Sequence, residues 1–513
     1  MNVDKLNQAK SLHIFMFPFT WEGKDDVKSD IGKEWRKEND NTGAWVYNQN
    51  AYFYANVNQA INDSDIVSNW KYKFQDDHNI YAIKIQARDN PYELNVEEIR
   101  LKLYNTGIGI LSFHLINNEY DQEEDILRIN DYGRRIFPPF LPLKSSVMAE
   151  SITLQIGQAC FSENYKPDDD YLEKPPRISN IIMSLLGNTF TYDPKESQDK
   201  VLIKPVIDDR MFVVCWWNNN ARSRFLKKYK TIMNDGDFWH KFFFIDSGYS
   251  GCQSQNMLKD LLRNHTYERW LNYGTMYGIT RYSLMLLTDD SDDICYLRLH
   301  MWTIYYQMAC LALAQRASIL KFSQQISEIV SIKKEKIDSQ KVQKLHYEYL
   351  RFINQLYFRE VNAQEQGIEM YDMLVSSMYI ERDVKRLDEE IGELYQHIRL
   401  EEDKKALDED RKTNETLYLL TVLGALFVFP NLLTSFFGMN VFSKPLLQSL
   451  TRIDTLFLVM LFIVPIVLAL LFLVNKIKFK KDILIYWAFI VILIVYLIAG
   501  IFCFIFGKGW LCG

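Results

Sequence analysis

The chain has 513 residues and a formal net charge of −6 at pH 7. It is therefore too long for one ordinary domain, and its acidic balance argues against nonspecific binding to a nucleic-acid backbone. Its seven cysteines form no C-x-x-C pair, which predicts reduced thiols in a cytosolic domain rather than a disulfide framework or a zinc site. The sequence contains no credible nucleophile–base or metal-ligand constellation, so we expect that the protein is not an enzyme.

Residues 1–290 mix short apolar strands with helices, which predicts a cytosolic α/β sensor domain. Residues 12–19 are predicted to form a buried strand, although Pro18 interrupts the run. Asn105-Thr106-Gly107 separates two strand-like segments and predicts a hairpin. We also expect a second hairpin from residues 201–207 and 211–217, a strand at residues 51–57 and a helix at residues 123–136.

Residues 291–363 are predicted to form a cytosolic helical hairpin, and residues 364–415 a stalk helix. One helix over residues 364–437 would be about 110 Å long at the standard rise per residue. In the stalk, apolar residues recur at spacings of three and four with charges between them, which is typical of a self-associating helix. These residues are Val384, Leu387, Ile391, Leu394 and Ile398.

Three apolar segments follow the stalk, each long enough to cross a bilayer as a helix. We expect transmembrane helices at residues 416–440, 455–474 and 483–506. One basic cluster precedes the first segment and another separates the last two, and the positive-inside rule assigns both clusters to the cytosol. The expected protein is a multi-pass protein of the cell inner membrane, with its N-terminal domain in the cytosol and its C-terminus outside.

A mostly small or polar stripe runs along the first apolar segment, at spacings that place its members on one helix face. Two interpretations are open. The stripe could form a contact between helices, which small residues favour, or it could line an ion path, which polar intramembrane residues often mark. A single helix cannot enclose a channel, so the second interpretation requires a homo-oligomer. The pore-lining candidates are Asn414, Leu417, Thr421, Gly424, Val428, Asn431 and Ser435.

The stripe ends at the tripeptide Gly438-Met439-Asn440, with Pro430 eight residues before Gly438. The tripeptide at the end of such a segment resembles the signature of the CorA magnesium channels. The expected fold class is an α+β cytosolic domain followed by a long helical stalk and C-terminal transmembrane helices, and the resemblance implies that these form a CorA-like funnel in a homopentamer. It also implies that Gly438, Met439 and Asn440 form the selectivity motif, with Asn440 as the metal-contacting residue.

The resemblance implies roles for other members of the stripe. Asn431 and Asn414 fall on polar pore positions, and Val428 and Leu417 fall on hydrophobic gate levels. Magnesium is small, hard and slow to shed water, and the neutral carbonyl oxygen of asparagine can bond to its hydration shell. We therefore expect hydrated Mg²⁺ as the transported or regulatory ion, with a lipid bilayer and further copies of the chain as partners.

The chain departs from ordinary family members in three ways. It has a third apolar segment, it carries Lys444 and Arg452 in the loop where acidic residues are usual, and its cytosolic part is long. These departures are similar to those of divergent CorA-like membrane effectors of type III CRISPR antiviral defence, which are switched by a nucleotide second messenger, adenylated S-adenosylmethionine. The main expectation is a cation channel gated through its cytosolic domain. Such an effector, whose ligand-binding residues are unknown, is one alternative. A non-conducting membrane-anchored sensor or scaffold is the other.

Three other charged segments have competing interpretations. The acidic runs at residues 168–170 and 289–293 could bind a divalent cation, but solvated loops or helix starts explain such runs as well. Arg134-Arg135 could hold a phosphate by charge-assisted bonds, and a surface salt-bridge role is the favoured interpretation.

Overall fold

The computed structural model describes residues 8–22, 27–38, 51–75, 78–136, 148–165, 178–207, 209–248, 250–291, 296–331, 337–438 and 494. Beyond residue 421 it describes only the side chains of residues 423, 424, 427, 431 and 494. The chain divides into two compact units, Met1–Ile398 and Arg399–Gly513.

One mixed sheet of fourteen strands dominates the described part of the first unit. The strands are β1 Ser11–Glu22, β2 Trp35–Lys37, β3 Val67–Tyr72, β4 Asn79–Lys84, β5 Tyr92–Tyr104, β6 Ile108–Asn117, β7 Ser151–Ile156, β8 Ala159–Asn164, β9 Phe190–Thr191, β10 Val201–Pro205, β11 Phe212–Asn218, β12 Thr266–Tyr267, β13 Met276–Ile279 and β14 Ser283–Thr288. The main path is β12-β13-β14-β11-β1-β6-β5-β4-β7-β8, while β10 also pairs with β1 and β3 also pairs with β5.

The central strand β1 confirms the predicted buried strand and explains how it accommodates Pro18. On one side β1 pairs with β6 along most of its length. On the other side β11 lies opposite Ser11–Met16 and β10 lies opposite Phe19–Glu22. Pro18 falls in the interval between these two partners, where its missing N–H removes no bond from either ladder.

The predicted hairpin at Asn105-Thr106-Gly107 is confirmed. β5 and β6 pair antiparallel, with Tyr104 opposite Ile108. Gly107 has a φ of +78°, and a Cβ at this position would collide with the Lys321 ammonium group, which donates to the Thr106 carbonyl at 2.7 Å. The positive φ is the reason that the turn favours glycine, since the flexible end of the Lys321 side chain can shift away from a Cβ.

Two local predictions are wrong. The strands at residues 201–207 and 211–217 form as β10 and β11, but both pair with β1, so they make no hairpin with each other. The expected strand at residues 51–57 overlaps a helix, α1 Ala55–Asn62, which buries Val57, Ala60 and Ile61. Those three residues follow helical spacing, and this periodicity outweighs the strand-like composition of the preceding residues.

Helices cover both faces of the sheet. The described α-helices are α1, α2 Glu123–Gly133, α3 Asn180–Leu186, α4 Asn220–Tyr229, α5 Gly236–Phe244, α6 Gln255–His265, α7 Tyr296–Trp302, α8 Ile304–Ile329, α9 Ser339–Gln355, α10 Glu365–Ser377 and α11 Ile380–Gly438. Alternate residues of β1 enter two different cores: Ile14 and Met16 pack in a cluster with α8, while Phe15 and Phe17 pack in a cluster with α2 and α5. Both sheet faces are therefore buried, as in other layered α/β domains.

The segment predicted as one helix over residues 364–437 is divided. α10 ends at Ser377 and α11 begins at Ile380. Between them Tyr379 has a φ of +57°, a left-handed conformation that breaks the helical hydrogen-bond ladder. The helical segment is therefore interrupted before the long helix starts.

The apolar seam that predicts a self-associating stalk is buried in the chain's own core. Val384, Leu387, Ile391, Leu394 and Ile398 are each at most 8% exposed and belong to the cluster that contains α8 and α9. His346 of α9 stacks on Tyr395 with ring centroids 4.2 Å apart, and Tyr349 donates to Asp388 at 3.2 Å. The seam therefore needs no second copy of the chain to be buried.

The fold class expected from the sequence is wrong. The structure has a large N-terminal α/β domain with a fourteen-stranded sheet, followed by a helical stretch. Among the described residues, no helix is both long enough and apolar enough to cross a membrane. The long helix α11 is rich in charge up to Glu415, which lowers the hydropathy of most of its described length. The segments predicted as spans at residues 455–474 and 483–506 lie outside the described residues, apart from Ile494.

Candidate ion path on the last helix

The residues predicted to line a pore lie on the C-terminal part of α11. This helix has 59 residues and runs from Ile380 to Gly438 without interruption, passing through Pro430. A proline inside a helix removes one backbone hydrogen bond. The helix ends at the first residue of the predicted selectivity motif, and Met439 and Asn440 lie outside the described residues.

The described members of the stripe are exposed in the single chain. Asn414, Thr421, Gly424 and Asn431 are all exposed, and Leu417 is 55% exposed. At 100° per residue the stripe from Asn414 to Gly438 occupies an arc of about 120° and a length of about 36 Å. Val428 and Ser435 belong to the helix, but their side chains lie outside the described part. The helix therefore presents the predicted stripe on a single face.

The chemistry of this face differs along its length. The Thr421 hydroxyl donates to the Leu417 carbonyl at 2.8 Å, which leaves the lone pairs of its oxygen available to water. A Cβ added to Gly424 would meet no atom within 4 Å, so the chain itself does not require glycine there. Asn414 and Asn431 each carry an amide that can both donate and accept. These groups can bond to the water shell of a cation without adding a fixed negative charge.

The first residue of the acidic run at residues 289–293, Asp289, is engaged within the chain. The Asp289 carboxylate lies 2.5 Å from the Lys227 ammonium and accepts from the hydroxyls of Ser223 at 3.1 Å and Ser291 at 2.5 Å. Although burial raises the pKa of Asp289, the bonds from Lys227 and Ser291 hold it below its usual value. The Asp289 side chain is thus already neutralised. Asp292, Asp293 and the run at residues 168–170 lie outside the described residues.

Arg134 and Arg135 form the ion pairs that the favoured interpretation expects, but Arg134 is buried, so its pair is not the surface salt bridge that was predicted. Arg134 is 2% exposed and donates to Asp131 at 3.4 Å and to the Ile245 carbonyl at 3.1 Å. Arg135 donates to Asp209 at 3.0 Å. Burial lowers the pKa of Arg134 to about 10, so its guanidinium remains charged at neutral pH. No group of three or more metal-ligating side chains occurs in the part of the chain that the structure describes.

The structure also brings together a charged cluster that the sequence reasoning missed. Glu98 is buried between Lys71, at 2.6 Å, and Arg100, at 2.7 Å. Glu98, Arg100 and Lys102 are every second residue of β5, so their side chains share one face of the sheet. That alternation of charges in a strand-like segment was the available signal, and it marks an unusual charged face against a helical layer.

The comparison with known families concerns the helical stretch. A family model described as CorA-like Mg2+ transporter protein matches residues 313–481, a range that contains every pore-lining and selectivity candidate. This match shows that the chain carries a domain of a divalent-cation transporter family. Over these residues the resemblance to the CorA family that was predicted from the sequence is confirmed. No curated protein and no solved structure matches the chain.

The family match has consequences for the wider predictions. It supports a role in ion transport with magnesium as the ion, and an association with membranes, because these are properties of the matched family. It favours a transporter over an enzyme. It gives no support to a nucleotide messenger. All fourteen described strands precede residue 313, so the match does not extend to the sheet.

Proposed function

We propose that the protein is a Mg²⁺-type cation channel that works as a homo-oligomer, with the stripe on α11 lining the ion path. The family match over residues 313–481 carries this proposal. The continuity of α11 through Asn414, Asn431 and Gly438 supports it, because the candidate residues share one face of one helix. One helix cannot surround an ion, so several copies must each contribute this face; five copies is the number that the family resemblance implies.

The residue types on the stripe suit a hydrated divalent ion. Magnesium holds its water tightly and is usually bound through that water. Asn414, Asn431 and Asn440 would form successive polar rings that bond to the hydration shell, while Leu417 and Val428 would form narrow apolar rings that close by dewetting. Gly438 and Met439 complete the motif that would present Asn440 to the ion. Polar rings would favour passage and apolar rings would stop it, so the stripe contains both elements of a gate.

The first part of the same helix belongs to the sheet-containing unit. Residues of α11 from Val384 to Ile398 are buried in the core of the first unit, and the stripe begins at Asn414 on the continuation of that helix. We propose that the first unit lies in the cytosol, that the protein acts at the cell inner membrane with its C-terminus outside, and that movement of α11 within its core controls the path.

Magnesium flux into liposomes tests the proposal. The purified full-length chain is reconstituted in vesicles that contain a magnesium-sensitive dye, and flux is compared for the wild type, Asn431→Leu and Leu419→Ala. Leu419 lies on the face of α11 opposite the stripe, so its variant is the control for any change in this helix. We expect Asn431→Leu to reduce flux by about tenfold or more, which corresponds to about 1.4 kcal/mol on the barrier, while Leu419→Ala conducts like the wild type.

Each outcome separates the candidate functions. Size-exclusion chromatography of the detergent-solubilised variants checks that the oligomer persists. Equal flux in wild type and Asn431→Leu contradicts the assignment of the path. No flux in the wild type, with an assembly altered by Asn431→Leu, indicates the non-conducting scaffold. Flux that requires an added nucleotide indicates the effector alternative.

A further inference from the structure

The charged cluster on β3 and β5 contains a buried cation without a matching anion. Adjacent strands place Lys71 opposite Arg100 and Asn69 opposite Lys102. These side chains share the face of the sheet that packs against α1 and α8, because they alternate with residues of the opposite core. We refer to Lys71, Glu98, Arg100 and Lys102 as the β3–β5 cluster.

Two members of the cluster have counter-ions. Glu98 accepts from Lys71 at 2.6 Å and from Arg100 at 2.7 Å, and its side chain is only 3% exposed. Arg100 also lies 3.9 Å from Glu38. Burial raises the pKa of Glu98, but Arg100 and Lys71 outweigh it and hold that pKa far below its usual value. Lys71 and Arg100 are therefore balanced by two carboxylates.

Among the described residues no carboxylate forms an ion pair with Lys102. Burial lowers the pKa of Lys102, and the charge of Glu38 acts on it from beyond ion-pair distance and opposes that shift. Lys102 is 4% exposed, and its ammonium donates to the Asn69 amide oxygen at 2.7 Å. The Asn69 amide nitrogen donates to the Ile61 carbonyl at 2.8 Å, which fixes the orientation of this neutral acceptor. Buried Cys310 supplies no countercharge, because burial raises the pKa of its thiol to about 11. A buried ammonium bonded only to an amide is costly unless it becomes neutral or meets an anion.

The outer residues of the cluster reach solvent. The side chains of Lys71 and Arg100 are each 25% exposed, and that of Glu38 is 17% exposed. Lys102 lies deeper, with two of its three donors uncommitted after the bond to Asn69. An anion that passes between the partly exposed cations would reach an ammonium group whose charge is not yet compensated.

We propose that the β3–β5 cluster binds a phosphate-type anion, with Lys102 as its buried countercharge and with Lys71 and Arg100 at its entrance. Phosphate offers several oxygen acceptors in a compact group, so one ligand can accept from Lys102 and from an entrance cation together. The site lies outside the matched CorA-like range, and it does not depend on whether the chain conducts ions.

Binding of pyrophosphate to the purified full-length protein tests this site. Isothermal titration is carried out on the wild type, Lys102→Met and Lys37→Met in a chloride buffer of matched ionic strength. Lys37 is exposed on β2 and opposite Trp70, so its variant removes the same charge from the other face of the sheet. We expect one pyrophosphate per chain for the wild type, a Kd at least about tenfold weaker for Lys102→Met (about 1.4 kcal/mol), and no change for Lys37→Met.

Thermal unfolding without added anion provides an independent readout. Lys102→Met should unfold at the same temperature as the wild type or higher, because the variant removes an uncompensated buried charge, and added pyrophosphate should raise the Tm of the wild type only. Orthophosphate and ATP, titrated separately, distinguish a free inorganic anion from the phosphates of a nucleotide. Absence of binding to the wild type at millimolar pyrophosphate, or equal binding to Lys102→Met, overturns the proposal and leaves Lys102 as a neutral buried amine.

Discussion

The seam of α11 offers the sharpest test of the architecture, because two leucines on the same helix have opposite surroundings. Leu387 is 2% exposed and lies in the buried cluster shared with α9, whereas Leu400 is 61% exposed. Leu387→Ala removes three buried carbon atoms, worth about 2.4 kcal/mol at about 0.8 kcal/mol per methylene group. The cavity left behind adds about 1 kcal/mol. We therefore expect a loss of about 3 kcal/mol for Leu387→Ala and less than about 0.5 kcal/mol for Leu400→Ala.

Urea unfolding of the purified full-length protein, followed by tryptophan fluorescence, measures both losses. Light scattering of the same samples measures the oligomeric state. If the seam packs within one chain, Leu387→Ala lowers the urea midpoint without changing the mass of the assembly. A Leu387→Ala variant that keeps its urea midpoint but dissociates into single chains would refute this reasoning. It would indicate that the seam is an interface between copies of the chain.

Three further predictions concern the sheet-containing unit. Burial lowers the pKa of His13 to about 4, against the opposing bond to Asn130. The contribution of neutral His13 to the free energy of unfolding is therefore fully present above pH 6.5 and falls by about 3 kcal/mol as the pH drops toward 4. Urea midpoints across that range will show this loss. Glu98→Gln leaves two cations facing a neutral amide and should cost about 3 kcal/mol or more in the same assay; no loss would contradict the ion pairs. Gly278→Ala would place a Cβ against the Phe243 ring and should cost about 1–3 kcal/mol. By contrast, the new Cβ in Gly392→Ala meets no atom within 4 Å, so this variant should stabilise the helix by about 0.5–1 kcal/mol. Similar Tm shifts for the two variants would contradict this packing.

The comparison of sequence and structure shows which patterns are decided locally. The hairpin at Asn105-Thr106-Gly107 was predictable because a turn and its two flanking strands are neighbours in sequence. The strands β10 and β11 were also predictable, but their pairing with β1 was not. Residues about 200 positions apart meet in those ladders, and nothing in the local sequence selects β1 over the nearer strand.

The family signature in α11 was accessible from the sequence for a similar reason. A helix repeats every 3.6 residues, so the stripe from Asn414 to Gly438 and the tripeptide that ends it can be read directly from residue spacing. Residue spacing does not identify the segment that covers an apolar face. The spacing of Val384 to Ile398 shows that this face must be covered, but only the packing of α9 and α11 shows that the chain covers it itself.

The sequence by itself determined the family that residues 313–481 resemble, the strand and helix periodicities, and which face of α11 carries its polar residues. Each of these depends on residues within a few turns of one another. The tertiary structure alone decided the order of the fourteen strands, the break at Tyr379 and the burial of Lys102 beside Asn69. These features depend on contacts between distant segments, where the free energy of a strand or charge is set by neighbours that local spacing does not specify.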